Sequence, residues 1–294
     1  MTRNFLTTAL LLGALGACSG KAAKIIQIRS DSELFVENNK WGVKSPGGTI
    51  IIEPKWDVIG HPSTLSDDRL VVSKDGKYGF IDSQGDLVIN LNWDFASKFS
   101  RGLAPVAREG KYGFIDPNGN VVIPLKYTRA GWFSNERAPI KTGDGWGYID
   151  PEGKLTIPNK WMEAEPFSEG LARVAMEPYK FGFINIKGEL VSELKWNNAF
   201  FFSDGFAAVK KESRWGFINK KGDLVIEPQW KLVRPFYKGF SIISDSVFSK
   251  KARYGIIDKK GKIVSEIQWD SITRRGERTF EVMKNGEQTL MKIR

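Results

Sequence analysis

Between Lys111 and Ile123 the chain alternates, turns and alternates again. Tyr112–Gly113–Phe114–Ile115 is aromatic and β-branched, Asp116–Pro117–Asn118–Gly119 is turn-forming, and Val121–Val122–Ile123 is apolar once more. Short apolar runs on either side of a glycine-containing turn predict two antiparallel strands joined by a hairpin. A third strand is expected just upstream, as in Leu103–Ala104–Pro105–Val106–Ala107 and Leu171–Ala172–Arg173–Val174–Ala175. The aromatic at Tyr127 marks a short fourth.

This pattern recurs seven times, counted by its first glycine: Gly42, Gly79, Gly113, Gly147, Gly182, Gly216 and Gly255. Six residues after each comes a second glycine (Gly48, Gly85, Gly119, Gly153, Gly188, Gly222, Gly261), and fourteen after it an aromatic (Trp56, Trp93, Tyr127, Trp161, Trp196, Trp230, Trp269). An aromatic also precedes each first glycine, from Trp41 to Tyr254. Asp or Asn opens the turn in six copies, where its side chain can accept a bond from the backbone two residues on. Five copies carry an aromatic twenty residues after the glycine, in Phe99–Ser100, Phe133–Ser134, Phe167–Ser168, Phe202–Ser203 and Phe236–Tyr237, whereas Pro62 and Arg275 stand there in the first and last. A period near 34 residues signals a repeat architecture, with atypical units at its ends.

The expected fold is therefore all-β, about seven units of three to four short antiparallel strands. A propeller-like ring leaves fewer strand edges exposed than the alternative, an open β-solenoid of hairpins. In a ring, the strand-like segment Lys24–Arg29 and a last hairpin over 279–293 would share one blade. Lys40–Trp41–Gly42, Gly145–Trp146–Gly147–Tyr148–Ile149–Asp150 and Arg214–Trp215–Gly216–Phe217–Ile218–Asn219 resemble the bacterial WG (KWG) repeat family over about residues 34 to 276. That resemblance implies an exported all-β protein, and the family as a whole brings no established catalytic residues.

The first residues stand apart from the repeat. Arg3 precedes a short apolar run, Phe5 to Leu15, closed by Leu15–Gly16–Ala17–Cys18. The run suits a signal peptide and falls short of the ~20 apolar residues that span a bilayer. Its closing residues resemble the lipobox of bacterial lipoproteins, which makes Cys18 the lipidated residue; an ordinary secretory signal is the alternative. The expected organisation is a signal peptide over 1–17, a lipidated N-terminus and short tether over 18–23, and one repeat domain over 24–294. Ser19, in place of an aspartate, favours the outer membrane facing the periplasm, or the cell surface, with attachment through lipid only.

Composition narrows the chemistry. Cys18 is the single cysteine, so the chain has no intramolecular disulfide, and its lipidation would leave no free thiol to join His61, the single histidine, in a nucleophilic dyad or a Cys/His zinc site. No phosphate-cradling loop is present, and neither cofactor nor metal is expected. Asp67–Asp68, and Glu163 with Glu165 after Trp161, are the acid pairs from which a glycan-binding or glycan-active site using carboxylates and aromatics could be built. Of the ten tryptophans only Trp132 lies outside both repeat positions, which makes it a candidate exposed contact.

The net charge of +10 comes entirely from the last third, where residues 206–294 hold 20 Lys/Arg and 10 Asp/Glu. Lys187, Lys220, Lys221, Lys259 and Lys260 sit at hairpin tips in shared register, with Arg274 and Arg275 nearby. Together they are a candidate binding face for an anionic polysaccharide, lipid headgroups or an acidic envelope protein. Export argues against nucleic acid. The sequence thus reads as a non-catalytic, lipid-anchored repeat scaffold that binds another component of the cell envelope, with the glycan reading as its alternative.

Overall fold

A computed structural model describes residues 27–143, 145–247 and 252–293. Among the described residues the secondary structure is thirty β-strands and one 3-10 turn, arranged as eight small antiparallel sheets of consecutive strands. Cys18 and the segment before residue 27 lie outside the described residues. Numbered in chain order, sheets 1 to 8 span residues 33–56, 58–93, 95–127, 129–161, 163–196, 198–230, 232–269 and 271–292, and sheet 3 shows the plan. A short strand Phe95–Ala96 pairs with a middle strand Ala104–Arg108, then a glycine strand Lys111–Ile115, then an outer strand Val121–Tyr127. The expected fourth strand is this two-residue piece, which begins as soon as the preceding outer strand has ended on its aromatic.

The aromatic–glycine pair has a geometric cause. Tyr112 pairs with Tyr127 but Phe114 pairs with Ile123, so two steps along the glycine strand face four along the outer strand. The surplus residues bulge the outer strand and push the Ile123 carbonyl towards Gly113, where a Cβ would lie 2.5 Å from that oxygen. Only glycine tolerates such an approach. The same shift sets the two repeat aromatics side by side in all seven copies, from Trp41 opposite Trp56 to Tyr254 opposite Trp269. The second glycine, Gly119, has φ +86° in its turn and rests on Ile89 of the preceding sheet.

Sheets stack face to face through three repeated contacts. The aromatic after the first glycine meets the linker phenylalanine of the next sheet, as in Phe114–Phe133 at 5.0 Å and Phe217–Phe236 at 4.6 Å between ring centroids. Such tilted pairs add about 1 kcal/mol each beyond the area they bury. The serine after the linker phenylalanine donates to the next linker's carbonyl: Ser100 to Phe133, Ser168 to Phe202 and Ser203 to Phe236, at 2.6–2.7 Å. Five of the turn glycines (Gly85, Gly119, Gly153, Gly188 and Gly261) then cover an isoleucine of the sheet before them, and Gly222 covers the backbone at Val191 and Ser192. Every seam is thereby an apolar core of its own, for example Phe80, Ile89, Trp93, Phe99, Val106 and Ile115 between sheets 2 and 3.

Among the described residues both terminal sheets have three strands and stay separate, without the shared blade that the ring reading anticipated; residues 24–26 of that segment lie outside the described residues. The last sheet supplies its own short strand, Ser271–Arg274. Residues 27–29 are not strand; Ile28 is buried in the seam between sheets 1 and 2, and its N–H donates to Ser83 O at 2.7 Å. The uncovered face of sheet 1 carries an ion pair. Where interior sheets pair a buried alanine with a buried isoleucine (Ala104–Ile115, Ala138–Ile149, Ala207–Ile218), sheet 1 pairs Glu33 with Lys44. At the far end, Leu290 takes the place of the buried aromatic after glycine and is 67% exposed.

The three-residue excess of the first unit is the 3-10 turn Pro62–Thr64, after which Ser66 and Arg69 make the same bridge as Ser100 and Leu103. The linker motif is therefore present in that unit, displaced by three residues, and Pro62 is not its equivalent. At the opposite end of the sheets, a polar residue in the crossover caps the turn between middle and glycine strands. Asp94 accepts from Glu109 N–H at 2.7 Å and from Lys77 at 2.6 Å, and Asp57 accepts from Lys40 and from Asp75 N–H. The lysine bond first, and the turn N–H second, hold both carboxyls below the usual range.

Gly113→Ala is expected to lower stability by about 2 kcal/mol through overpacking against the Ile123 carbonyl, read as a shift in the urea midpoint, while Gly47→Ala, whose Cβ would meet only Ser45 Oγ at 3.8 Å, stays within about 0.5 kcal/mol. Because Asp57 and Asp94 titrate lower in the folded chain than in the unfolded one, their contribution is complete above about pH 5 and is lost as pH falls through the depressed values. Thermal midpoints measured from pH 7 to pH 2 should be flat at first and then fall below about pH 4, with a shallower acid limb in Asp94→Asn.

Candidate functional site

Residues that every copy shares are occupied in holding the sheets together, so a site has to be built from what the copies do not share. Two ends of the array differ in kind. One end carries the crossovers and the turns between middle and glycine strands. The other carries the loop between short and middle strands together with the hairpin tip between glycine and outer strands, and it holds the lysines.

At that end a hydrogen-bonded ladder runs from sheet to sheet. Glu169 accepts from Asp204 N–H (2.7 Å) and Gly205 N–H (3.0 Å), Asp204 accepts from Gly239 N–H (2.5 Å), and Asn135 accepts from Gly170 N–H (3.3 Å). The hairpin lysines feed into it: Lys220 reaches Glu169 at 3.1 Å and Lys259 reaches Asp204 at 2.7 Å. Partial burial alone would raise the Asp204 carboxyl, yet the bonds from Lys259 and Gly239 hold it below the usual range. Lys220 and Lys259 are therefore ion-paired to the ladder, Lys220 while still exposed. They do not join Lys187, Lys221 and Lys260, which occupy the next position of the same turn in sheets 5, 6 and 7 and are exposed.

The two arginines are also engaged. Arg274 donates to Phe240 O (3.2 Å) and Glu277 O (2.7 Å), and its guanidinium lies 4.5 Å over Phe280 and 5.2 Å over Tyr237, so it latches sheet 8 to sheet 7. Arg275 forms a paired contact with Glu281 at 2.8 and 3.1 Å. The five tip lysines and two arginines thus resolve into one exposed row of three, three intersheet ties and one ion pair within sheet 8. Periodicity brought them to one end of the array, but it carried no information about which acid each would meet.

The acid candidates separate as well. Asp67 and Asp68 form the loop turn at φ near +55°, with Asp68 accepting from Ser83 N–H at 3.1 Å and Asp67 from the Ser66 hydroxyl at 2.9 Å. His61 Nδ1 meets Ser63 N–H (3.2 Å) and Oγ (2.8 Å), capping the 3-10 turn. Glu163 and Glu165 both address Arg173, at 3.9 and 3.0 Å.

Trp132 and Glu165 are brought together. They share a groove of about 560 Å³ with Pro166, Arg173, Asn198, Phe200 and Phe201, at the seam between sheets 5 and 6 and beside the loop of sheet 4. Trp132 is 37% exposed, Phe200 36% and Phe201 54%. Phe200 stacks on Trp215 at 4.8 Å with planes 8° apart, and Lys98 sits 5.0 Å over Trp132. Arg173 Nη1 holds Asn198 Oδ1 (3.3 Å) and Ala199 O (3.0 Å), and buried Tyr148 donates to Glu165 O at 2.8 Å. Burial pushes the Tyr148 phenol well above its usual range, with the Glu165 charge adding to the effect. The sequence pointed to Trp132 and Glu165 separately. Phe200, Phe201, Arg173 and Asn198 were missed, although aligning the loops places Lys98, Trp132, Pro166, Phe201 and Pro235 in one column, where the aromatics stand out.

Comparison with curated protein sequences finds no match. Among solved structures, the chain is similar to a eukaryotic initiation factor (TM-score 0.59, 10% identity, covering 88% of this chain and 84% of that one). It is also similar to the dihydro-heme d1 dehydrogenase NirN in complex with DHE (TM-score 0.53, 14% identity, 82% and 65%) and to BamB from Moraxella catarrhalis (TM-score 0.46, 14% identity, 91% and 98%). At these identities the first two likenesses speak to the propeller-like fold alone. The WG containing repeat matches seven times, over residues 41–78, 78–112, 112–146, 146–177, 181–215, 215–245 and 254–274. These segments follow the aromatic–glycine register from seam to seam, and the chain belongs to the WG-repeat family.

Proposed function

We propose that this chain is a non-catalytic repeat scaffold, anchored by lipid at Cys18, that binds another component of the cell envelope through the hairpin-tip end of its sheets. The observation that carries the reading is the row formed by Lys187, Lys221 and Lys260. Each is the exposed residue before the second glycine, in three successive sheets, while the neighbouring Lys220 and Lys259 are spent on Glu169 and Asp204. A row of cations at fixed spacing on a stiff support fits an extended anionic surface, such as an acidic polysaccharide, an anionic headgroup layer or an acidic protein face. Against catalysis stand the acids themselves: Asp67 and Asp68 build a turn, and Glu163 and Glu165 are paired to one arginine.

The full chain, purified in detergent, is to be assayed against polygalacturonate and against phosphatidylglycerol-containing vesicles. The triple variant K187E/K221E/K260E is expected to lose at least tenfold in affinity for the anion that binds, and to flatten its salt dependence. Binding that survives the triple reversal sinks the proposal, as does equal binding to neutral phosphatidylcholine vesicles. Cys18→Ser is expected to release the protein from the membrane fraction into the soluble one.

A further inference from the structure

The groove between sheets 5 and 6 is made of residues that the repeat does not need. At the position before the linker phenylalanine, other sheets use Lys98, Pro166 and Pro235, so the backbone there imposes no aromatic; sheets 4 and 6 nevertheless place Trp132 and Phe201. One position earlier the copies hold Ser97, Gly131, Glu165, Phe200 and Arg234. The substitutions converge. Trp132, Phe200 and Phe201 come from two loops and line one cavity of about 560 Å³, each with a third or more of its surface in water. Leaving large aromatic surface exposed forgoes part of the stabilisation that full burial would return, and a cluster of such residues marks a contact surface.

The polar part of the groove is rigid. Arg173 is fixed by Glu165, Asn198 and Ala199 O, and its guanidinium lies 4.7 Å over Phe181. Glu165 is held through its backbone by Tyr148, the single tyrosine at a position that is otherwise phenylalanine in sheets 2, 3, 5 and 6. The Glu165 side chain remains about half exposed, so its carboxylate can accept further bonds, and the bonds of Asn198 among the described residues use Oδ1, which leaves its amide donors for a ligand. Arg173 faces two carboxylates, Glu165 at 3.0 Å and Glu163 at 3.9 Å, and Lys98 sits over Trp132, so the groove offers stacking faces, one acceptor group and one donor group among charges of both signs.

We propose that this groove is a saccharide-binding site that takes neutral pyranose rings. The apolar face of a pyranose stacks on an aromatic ring, and its equatorial hydroxyls are both donors and acceptors that match a carboxylate beside an amide. Trp132 and Phe201 act as platforms, with Glu165 and Asn198 as hydroxyl partners and Arg173 and Tyr148 as positioning residues. A polyproline segment also docks on aromatic grooves, but it carries no hydroxyls for the carboxylate and no use for the amide donors beyond its carbonyls. The site is independent of the lysine row, and its test leaves that row intact.

The test titrates the full chain in detergent with cellohexaose, chitohexaose, maltohexaose and decaproline, following tryptophan fluorescence and calorimetric heat. At least one hexasaccharide is expected to bind saturably. Trp132→Ala and Phe201→Ala should each weaken it at least tenfold, and Glu165→Gln and Asn198→Ala severalfold, with thermal midpoints near that of the unaltered chain. Phe201 is the most exposed of the three aromatics, so its replacement separates lost binding from lost folding. The proposal is overturned if none of the three saccharides binds, if binding persists in both aromatic variants, or if decaproline alone binds and is lost in them.

Discussion

The structure depends on one close approach, that of the outer-strand carbonyl to the first glycine of each unit. At Gly113 the space for a Cβ is filled by Ile123 O, and backbone crowds the equivalent position in the other six copies. The approach exists because the outer strand carries surplus residues against the glycine strand, seen as the same register shift in all seven pairings. A bulge of this kind bends and twists its strand. Here it also delivers the second aromatic opposite the first, and the chain turns into the next sheet immediately afterwards. Glycine is the condition for the bulge, and the bulge places the aromatic pair.

From that local constraint the array follows by nearest-neighbour contacts. Phenylalanine meets phenylalanine across four interior seams and Tyr148 meets Phe167 across a fifth, five turn glycines cover the previous isoleucine, and at three seams a serine donates to the next loop carbonyl. No contact in this set needs more than two adjacent sheets, the quasi-one-dimensional arrangement in which stability is a sum over units and interfaces. An end sheet then has one interface fewer and an uncovered face. Glu33 with Lys44, and Glu281 with Arg275 beside Leu290, are the sequence's answer to that loss. Terminal units diverge because they meet water where interior units meet a neighbour.

The seven copies, their strands and their hairpin turns were legible because period-two patterning and turn chemistry are local properties. The fixed glycine was legible as a position, but its cause was not, since the Ile123 carbonyl lies ten residues away across a bulge. The eighth sheet was visible as a last hairpin without its aromatic–glycine pair. Reading the chain ends as one shared blade failed because Ile28 belongs to the seam between sheets 1 and 2. The first unit looked irregular because a fixed offset of twenty residues cannot anticipate a three-residue 3-10 turn. At the basic end the sequence supplied the lysines and their common side. It could not distinguish Lys220 from Lys221, adjacent exposed residues of which the first is paired to Glu169.

That last distinction bears on how function is sought in a repeat protein. A residue present in every copy is explained by the repeat, and here the shared aromatics, glycines and turn acids each have a structural partner. A residue in one copy only is explained by the repeat when it meets a neighbour, as Arg274 meets Phe240, Tyr237 and Phe280. What remains after both subtractions is small: three exposed lysines in a row and an aromatic groove at one seam. Tyr148 connects the second remainder to the frame. Its ring keeps the seam contact with Phe167 at 5.0 Å that phenylalanine makes elsewhere, and its hydroxyl adds one bond, to the backbone of Glu165. The ring serves the array in the same way as its counterparts. The added hydroxyl acts only at the groove, so the one departure buried inside this seam has its effect where the exposed departures converge.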